Sequence, residues 1–270
     1  MEFLDVFLVS IGGTATALLI AGFLSKSLLT HLFAKEMESY KSKINHENSV
    51  ALEAIKAELQ QSAKKEDRLV EYEKVMKRYQ GPLLHAVYDL QSRLFNIIMQ
   101  GLIEVYFING KEHERDYVIN NTVFVIAQYF AWTEIIRKEI QFIDFRSSEK
   151  TKKMSELRDN IYSLWQTDRF HDLFRIWAGE QRAIGELMIE ERNNHLNCIG
   201  YAIFLKKLQN NQEPLFAKLQ SDVIALSESV SDSYPRLTEI QHALIDILNY
   251  LDPEYIRFPK ECRSYVPSNA

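Results

Sequence analysis

The sequence predicts an all-α protein with an N-terminal transmembrane helix, a long helical stalk and a multi-helix, bundle-like domain. Three observations lead to this prediction. An uncharged apolar run begins at the sixth residue. The chain has only nine glycines and six prolines in 270 residues. After the run, apolar residues recur at three- and four-residue spacing. With 46% hydrophobic and 26% charged residues overall, the chain has the composition of a globular protein that can bury a sizeable core.

The apolar run is Val6–Leu24, nineteen residues without a charged side chain. As a helix, with about 1.5 Å per residue, it would reach about 28 Å, close to the thickness of a membrane's hydrocarbon core. A cleavable signal peptide is one alternative, but Glu2 and Asp5 precede the run and no Lys or Arg does. A buried core helix is the other, and so long an uncharged run is unusual for one. We therefore interpret residues 1–25 as a membrane anchor that contacts the lipid bilayer.

The charges that flank the anchor predict its orientation. The basic residues that follow it most closely are Lys26, Lys35, Lys41 and Lys43. Because positive charge is retained on the cytoplasmic side, the N-terminus is expected outside and the body in the cytoplasm, at a plasma or inner membrane. The two cysteines, Cys198 and Cys262, fit a reducing compartment better than a disulfide-stapled fold.

A strip of small residues lies on one face of the anchor. Gly13, Ala17 and Ala21 fall four residues apart, a spacing that lets two transmembrane helices approach closely. This pattern predicts a homo-oligomer. The alternative is that a weakly hydrophobic anchor simply contains small residues.

Residues 26–80 are predicted to form a charged helical stalk. They contain no Pro or Gly, and residues 35–80 hold ten Lys or Arg and nine Asp or Glu. A heptad of coiled-coil type runs through Leu52, Ile55, Leu59, Ser62, Glu66, Leu69, Glu73 and Met76. Since glutamates occupy two core positions, the alternative of a solvated helix that lies partly against the body stays open.

The bundle domain is predicted to span residues 81–252. Gly81-Pro82 is expected to break the stalk, because proline interrupts helices, and Asn109-Gly110 is expected to end the first bundle helix. The segment Tyr117–Phe145 begins with seventeen uncharged residues. A second membrane span is one interpretation, but its amides and aromatic residues favour a buried core helix.

The second half of the bundle domain is predicted to continue as helices. Phe170–Ile189 reads as one helix or two joined at Gly179, and Asn193-Asn194 as a break. His195–Leu208 reads as a continuing helix, and its run CIGYAIFLKKL has a strand as an alternative that lacks an evident partner. Loops are expected at 146–148 and 210–211. Pro214 and Pro235 are expected to open helices, and residues 253–270 to form an irregular tail.

The most polar stretch within an apolar context is Phe174–Glu191. On one helix Arg175, Gly179, Arg182 and Glu186 would share a face, beside Glu180 and Gln181. Such a charge set could bind an anionic ligand or a partner. We interpret it instead as a buried ion-pair network that holds helices together.

Arg236 and His242 have the spacing of the Rx4–6H motif of HEPN-type helical ribonucleases. The similarity covers those seven residues, and it implies that the Arg and His would act on an RNA backbone. A second pair, Arg78 and His85, has a similar spacing across Gly81-Pro82. A bare spacing match carries little structural context, so we interpret Arg236 and His242 as structural.

Other chemistry finds little support in the sequence. The pairs Asp168 with His171 and Glu191 with His195 are helix-compatible but supply too few ligands for a metal. We expect no cofactor, and a net charge of −5 gives no electrostatic reason to expect nucleic acid binding.

These observations predict a single-pass membrane protein whose cytoplasmic helical domain binds a protein partner as a scaffold or sensor, without a catalytic site. One alternative is a membrane-acting effector that is triggered through its helical body. Another is a membrane-tethered helical enzyme such as an Rx4–6H ribonuclease.

Overall fold

A computed structural model describes residues 2–140, 149–210, 213–228 and 230–267, with side chains from residue 18 onward except 149–151 and 230–233. The fold is predominantly helical, as the sequence predicts. The α-helices are α1 Glu2–Met99, α2 Glu112–Ile140, α3 Glu149–Gln166, α4 Ala178–Leu187, α5 Tyr201–Asn210, α6 Pro214–Ala225 and α7 Val230–Leu251. A π-helix spans Ile103–Ile108, a 3₁₀ turn spans Lys260–Cys262, and β1 Ile189–Arg192 pairs with β2 His195–Cys198.

The chain divides into two units, residues 1–64 and residues 65–270. In the first unit, the apolar side chains of α1 that the structure describes are exposed, among them Leu18, Ile20 and Phe23. In the second unit, the first buried side chain is Val75. Residues 65–80, which the sequence assigns to the stalk, therefore belong to the second unit.

Gly81-Pro82 does not break α1, contrary to the sequence-based expectation. A proline inside a helix costs about 3 kcal/mol. The residues that follow the proline include three buried side chains, Leu83, Leu84 and Val87. Burial of each stabilises the folded state by about 1.5–3 kcal/mol. Their burial outweighs the lost hydrogen bond. Gly81 helps as well, because it has no Cβ to meet the proline ring.

One hydrophobic core joins the second-unit part of α1 to the other helices. α2 packs against α4 and α6, and α3 packs against α7. Val123, Ile126 and Ala127 of α2 are fully buried, so the uncharged part of this helix is core and the interpretation that excludes a second membrane span is confirmed. Trp165 at the end of α3 is also fully buried and packs edge-on against Phe130, at 5.4 Å between ring centroids.

The predicted helix Phe170–Ile189 is wrong in its first half. Residues 167–177 are irregular and α4 begins only at Ala178. Phe174 is buried in a left-handed conformation, with φ of 58°, which ends any helix at that point. Ile176 instead donates its backbone N–H to the carbonyl of Trp165 at 2.8 Å.

Asn193-Asn194 is the turn of a β-hairpin rather than a break between helices. Both asparagines have positive φ, 53° and 60°, which a two-residue hairpin turn of type I′ requires. Arg192 pairs with His195 next to the turn, and Ile189 pairs with Cys198 at the other end of the hairpin. The helix predicted over His195–Leu208 is therefore strand β2 followed by α5.

Two further proline predictions have different outcomes. Pro214 opens α6, as the sequence predicts. Pro235 lies inside α7, which begins five residues earlier at Val230. The loop predicted at 146–148 and residue 211 lie outside the described residues.

Residues 253–267 of the C-terminal tail contain one short 3₁₀ turn and contact the helices through hydrogen bonds. Gln241 of α7 donates Nε2 to the carbonyl of Ser264 at 2.8 Å and accepts the backbone N–H of Val266 on Oε1 at 3.2 Å. Gln91 of α1 donates to the carbonyl of Cys262 at 3.0 Å. Val266 is buried as a result.

The buried ion pair between Arg263 and Asp252 joins the tail to the end of α7. Burial raises the pKa of Asp252. Hydrogen bonds from the backbone N–H groups of Phe258, Arg257 and Ile256, together with the charge of Arg263, lower it by more, so the pKa lies below its usual value. The three N–H groups donate at 3.3, 3.2 and 3.0 Å, respectively.

This depressed pKa predicts acid sensitivity of the tail. The carboxylate stabilises the fold above its unfolded-state pKa of about 3.9, and that stabilisation is lost as pH falls through the lower folded-state pKa. Asp252→Asn should therefore lower the urea midpoint at pH 7 and flatten the decline of the midpoint below pH of about 4. Asp168→Asn, at an exposed position, is the control and should leave the profile unchanged. A profile for Asp252→Asn that matches the wild type would contradict this account.

Gly185 and Gly179, both in α4, supply a matched test of helix packing. A Cβ on Gly185 would lie 2.6 Å from the carbonyl oxygen of Phe130 in α2, whereas a Cβ on Gly179 would meet no atom within 4 Å. Gly185→Ala should destabilise by about 1–3 kcal/mol through overpacking. Gly179→Ala should stabilise by up to about 1 kcal/mol because alanine favours helix. Urea unfolding measures both changes, and equal effects would show that α4 is not pressed against α2.

Candidate ligand-binding site

A cleft of ≈ 120 Å³ lies between α2, α3 and α4, beside the close contact at Gly185. We call it the arginine cleft. Its lining is mixed, with aromatic side chains and three guanidinium groups: Tyr129, Phe130, Thr133, Glu134, Arg137, Arg158, Asp159, Tyr162, Gln181 and Arg182. The cleft is built entirely from residues of the second unit.

The aromatic side of the cleft is held in place by backbone contacts. Tyr162 of α3 donates its hydroxyl to the carbonyl of Ala178 at 3.1 Å, which ties α3 to the first residue of α4. Tyr129 is buried, and burial raises its pKa although Arg158 acts in the opposite direction. The Tyr129 hydroxyl is therefore protonated at neutral pH and can donate a hydrogen bond.

One of the three arginines is already neutralised. Arg137 binds Glu134 with two hydrogen bonds, at 2.7 and 2.6 Å, and this pairing raises the pKa of Arg137. Glu134 is buried, and Lys138 lies 3.9 Å from the same carboxylate. Both oxygens of Glu134 are thus occupied by cations of its own helix.

The other two arginines have weaker partners. The guanidinium of Arg182 lies 6.0 Å from the ring centroid of Tyr162, and no carboxylate among the described residues comes within 4.0 Å of it. Among the side chains that the structure describes, the carboxylate that pairs with Arg158 is the exposed one of Asp159, at 3.5 Å. Exposed pairs of this kind contribute little, so both guanidinium groups can exchange their present contacts for an anion.

Gln181 of α4 also lines the cleft. The residue is only 3% exposed, and its Nε2 donates to the carbonyls of Tyr162 and Ile176 at 3.0 and 2.9 Å. These two bonds fix the orientation of the amide. Among the residues that the structure describes, no donor reaches Oε1. A buried acceptor without a donor costs about 1–3 kcal/mol, which marks this atom as unusual.

The charge set predicted on one helix face is dispersed. Arg175 lies before α4 and pairs with Asp172 at 2.9 Å, and Glu180 accepts the backbone N–H of Trp177 as part of the N-terminal cap of α4. Glu186 is exposed and pairs with Lys138 at 2.8 Å. The interpretation as a buried ion-pair network is therefore wrong, because the helix starts too late to align these residues. Of the set, only Arg182 lines the arginine cleft.

Arg236 and His242 have separate structural contacts. Arg236 is fully buried and donates to four backbone carbonyls, those of Leu164, Trp165, Thr167 and His171, at 2.6–3.1 Å. The Nε2 of His242 lies 2.6 Å from the carbonyl of Val266. A guanidinium surrounded by carbonyls in the core has no access to a nucleic acid backbone.

A second groove of ≈ 470 Å³ lies between α1 and the hairpin. Within it Nη1 of Arg78 lies 3.1 Å from Nδ1 of His195, a pair brought together from 117 positions apart. Cys198 also lines this groove, and burial, with a smaller effect of Glu190, raises the pKa of its thiol to about 12. The thiol is therefore protonated and unreactive at neutral pH.

The remaining predicted features lie elsewhere in the chain. Gly13 and Ala17 lie in α1 but their side chains are outside those described, and Ala21 is exposed. Cys198 and Cys262 are free thiols. In the described part of the chain, no group of three or more His, Cys, Asp or Glu is placed to hold a metal ion.

Sequence reasoning named Arg182 and the adjacent Gln181 but missed Arg158 and Tyr129 as their neighbours. These four residues come from three helices and share no motif or spacing. The one available signal is Gln181 itself, a polar residue at a position where the periodicity of α4 turns inward.

Compared with models of protein families, with curated proteins and with solved structures, the chain matches none. The geometry of the second unit and the exposed apolar surface of the first unit are therefore the basis for its function.

The buried position of Arg236 predicts a large effect on stability. Arg236→Leu leaves four carbonyls without their donor, so it should destabilise by about 3 kcal/mol or more. Arg169→Leu, which removes an exposed guanidinium from the same irregular segment, is the control and should cost about 0.5 kcal/mol or less. Urea unfolding of the two variants compares them directly. Equal midpoints would show that the carbonyl contacts of Arg236 contribute nothing.

Proposed function

We propose that the protein is a single-pass membrane protein whose all-helical domain is an interaction domain that acts as a sensor. The observation that supports the anchor most directly is the exposed apolar surface near the start of α1. The described part of this helix is long and apolar enough to cross a membrane, and none of its apolar window is buried. Leu18, Leu19 and Phe23 are each 74% exposed.

Exposure of these side chains to water is unfavourable. Burying one Leu, Ile or Phe side chain is worth about 1.5–3 kcal/mol. In the absence of a covering surface within the described chain, a bilayer supplies the burial along the whole run from Val6 to Leu24. The lysines that follow the run support a cytoplasmic location for the domain.

The sensor role is supported by the arginine cleft, which two weakly paired guanidinium groups line together with aromatic side chains. A scaffold would instead need a surface that binds another protein. The protein partner and the homo-oligomer remain predictions. The tethered ribonuclease alternative has less support, because Arg236 is enclosed in the core.

Fractionation tests the anchor. The full chain should pellet with membranes and resist extraction with alkaline carbonate. Ile11→Lys combined with Leu18→Lys places two charges near the middle of the run, each costing about 2.5–3.5 kcal/mol at that depth. This variant should move to the carbonate-soluble fraction.

The matched control is Leu52→Lys combined with Leu59→Lys. It makes the same chemical change, at the same spacing, at two exposed leucines of α1 beyond the anchor. It should stay in the membrane pellet. A wild-type chain recovered uncleaved in the soluble fraction would refute the anchor.

A further inference from the structure

We propose that α1 binds a second copy of this chain, parallel and in register, through one apolar face between Phe33 and Leu59. We call this face the stalk seam. The pairing rests on the proposed membrane anchor, which holds both copies in the same direction. The large apolar residues of the stalk seam, which also includes Asn48 and Ala51, are Phe33, Met37, Tyr40, Ile44, Leu52, Ile55 and Leu59.

The stalk seam is uncovered in the single chain. Its seven large apolar residues are 40–69% exposed, and every described side chain of residues 18–64 is exposed. At about 100° per residue the seam residues fall within a stripe about 120° wide along the helix. Lys43, Glu53 and Lys56 lie outside that stripe. A helix with one apolar stripe and an otherwise charged surface is the kind that packs against a partner.

The bilayer does not cover the stalk seam. Phe33 lies nine residues beyond Leu24. At about 1.5 Å per residue this is about 13 Å, more than the roughly 5–8 Å of one headgroup layer. α1 continues through the whole first unit without a Pro or Gly between residues 25 and 80. It therefore lacks the usual cause of a kink that would lay the stalk on the membrane surface.

A second copy matches the polar residues of the stalk seam. Asn48 lies within the stripe, and its side-chain amide can both donate to and accept from the same amide of a parallel chain. A single asparagine in such a seam fixes the register of the two helices. With Met37 at position a and Tyr40 at position d of a heptad, Glu36 is at position g and Lys41 at position e. In a parallel pair these two positions face each other across the seam with opposite charges.

The stalk seam is also large enough for a stable pair. One apolar side chain of this size offers about 60–120 Å² for burial, so two chains together offer about 800–1,700 Å². A specific interface needs roughly 1,000 Å². Anchoring in one membrane raises the effective concentration of the two copies, which favours pairing without any further contact.

The stalk seam ends within the first unit. The heptad that the sequence predicts runs on to Met76, but Met76 packs against the core of the second unit and Val75 is buried there. That part of α1 is already covered, so the free apolar face lies before residue 65.

Disulfide cross-linking of the full chain in membranes tests the pairing. Ala51 lies in the stalk seam and Ala57 on the opposite face of the helix, and both are exposed. Each is changed to cysteine in a chain that carries Cys262→Ser, and the Cys262→Ser chain alone shows any cross-link through Cys198. Under a mild oxidant Ala51→Cys should form the product of twice the chain mass at least about tenfold more efficiently than Ala57→Cys, because a disulfide needs the two Cα atoms within about 7 Å.

Two matched substitutions assign the cross-link to the stalk seam. Ile55 lies in the seam and Val50 outside it, and these β-branched side chains are 54% and 53% exposed. In the Ala51→Cys chain, Ile55→Glu places two like charges within the seam and should reduce the cross-link at least about tenfold. Val50→Glu makes a similar change on the solvated face and should leave the cross-link unchanged.

Equal cross-linking of Ala51→Cys and Ala57→Cys, no cross-link at either position, or a cross-link that Ile55→Glu leaves unchanged would overturn the pairing. Carbonate fractionation tests the anchor separately. A chain that pellets with membranes but does not cross-link at residue 51 retains the anchor and refutes the pairing. A soluble chain that cross-links there supports the pairing and refutes the anchor.

Discussion

The guanidinium of Arg236 is the contact on which the geometry of the candidate site depends. It lies fully buried on α7 and donates to the carbonyls at the end of α3 and in the irregular segment 167–177. Burial, and to a smaller extent Arg175, lower its pKa, but a guanidinium is so basic that it keeps its proton. The four backbone carbonyls that accept its hydrogen bonds stabilise the charge, and the charges of Asp172 and Asp222 act in the same direction.

The position of the residues that line the arginine cleft also depends on Arg236. The segment 167–177 is held against α7 by Arg236, and its last residue caps α4 through Glu180. The start of α4 therefore depends on where this segment lies. Gln181 and Arg182 come within the first turns of α4, so their placement opposite Tyr162 depends on the same contact.

A second buried arginine repeats the arrangement at the end of α7. Arg263 donates to the carbonyls of Leu248, Asp252 and Phe258 and pairs with the Asp252 carboxylate. The last carbonyls of any helix lack intrahelical donors, and glycine caps are the common solution. This chain has few glycines, and it ends two of its helices with arginines that are distant in sequence. Each of these caps also positions the chain beyond its helix, the segment 167–177 after α3 and the tail after α7.

The sequence by itself determined the helical class, the apolar start of α1, the core role of α2 and the opening of α6 at Pro214, because each rests on local periodicity or on the fixed backbone of proline. It also contained the signal for the hairpin, since two adjacent asparagines tolerate positive φ, but a strand pair needs a partner that periodicity alone does not reveal. Only the tertiary structure decided that α1 runs through Pro82, that Arg236 is enclosed and that Arg158, Arg182 and Gln181 meet. Those outcomes depend on burial summed over helices distant in sequence, and that sum outweighs the local preference of any single residue.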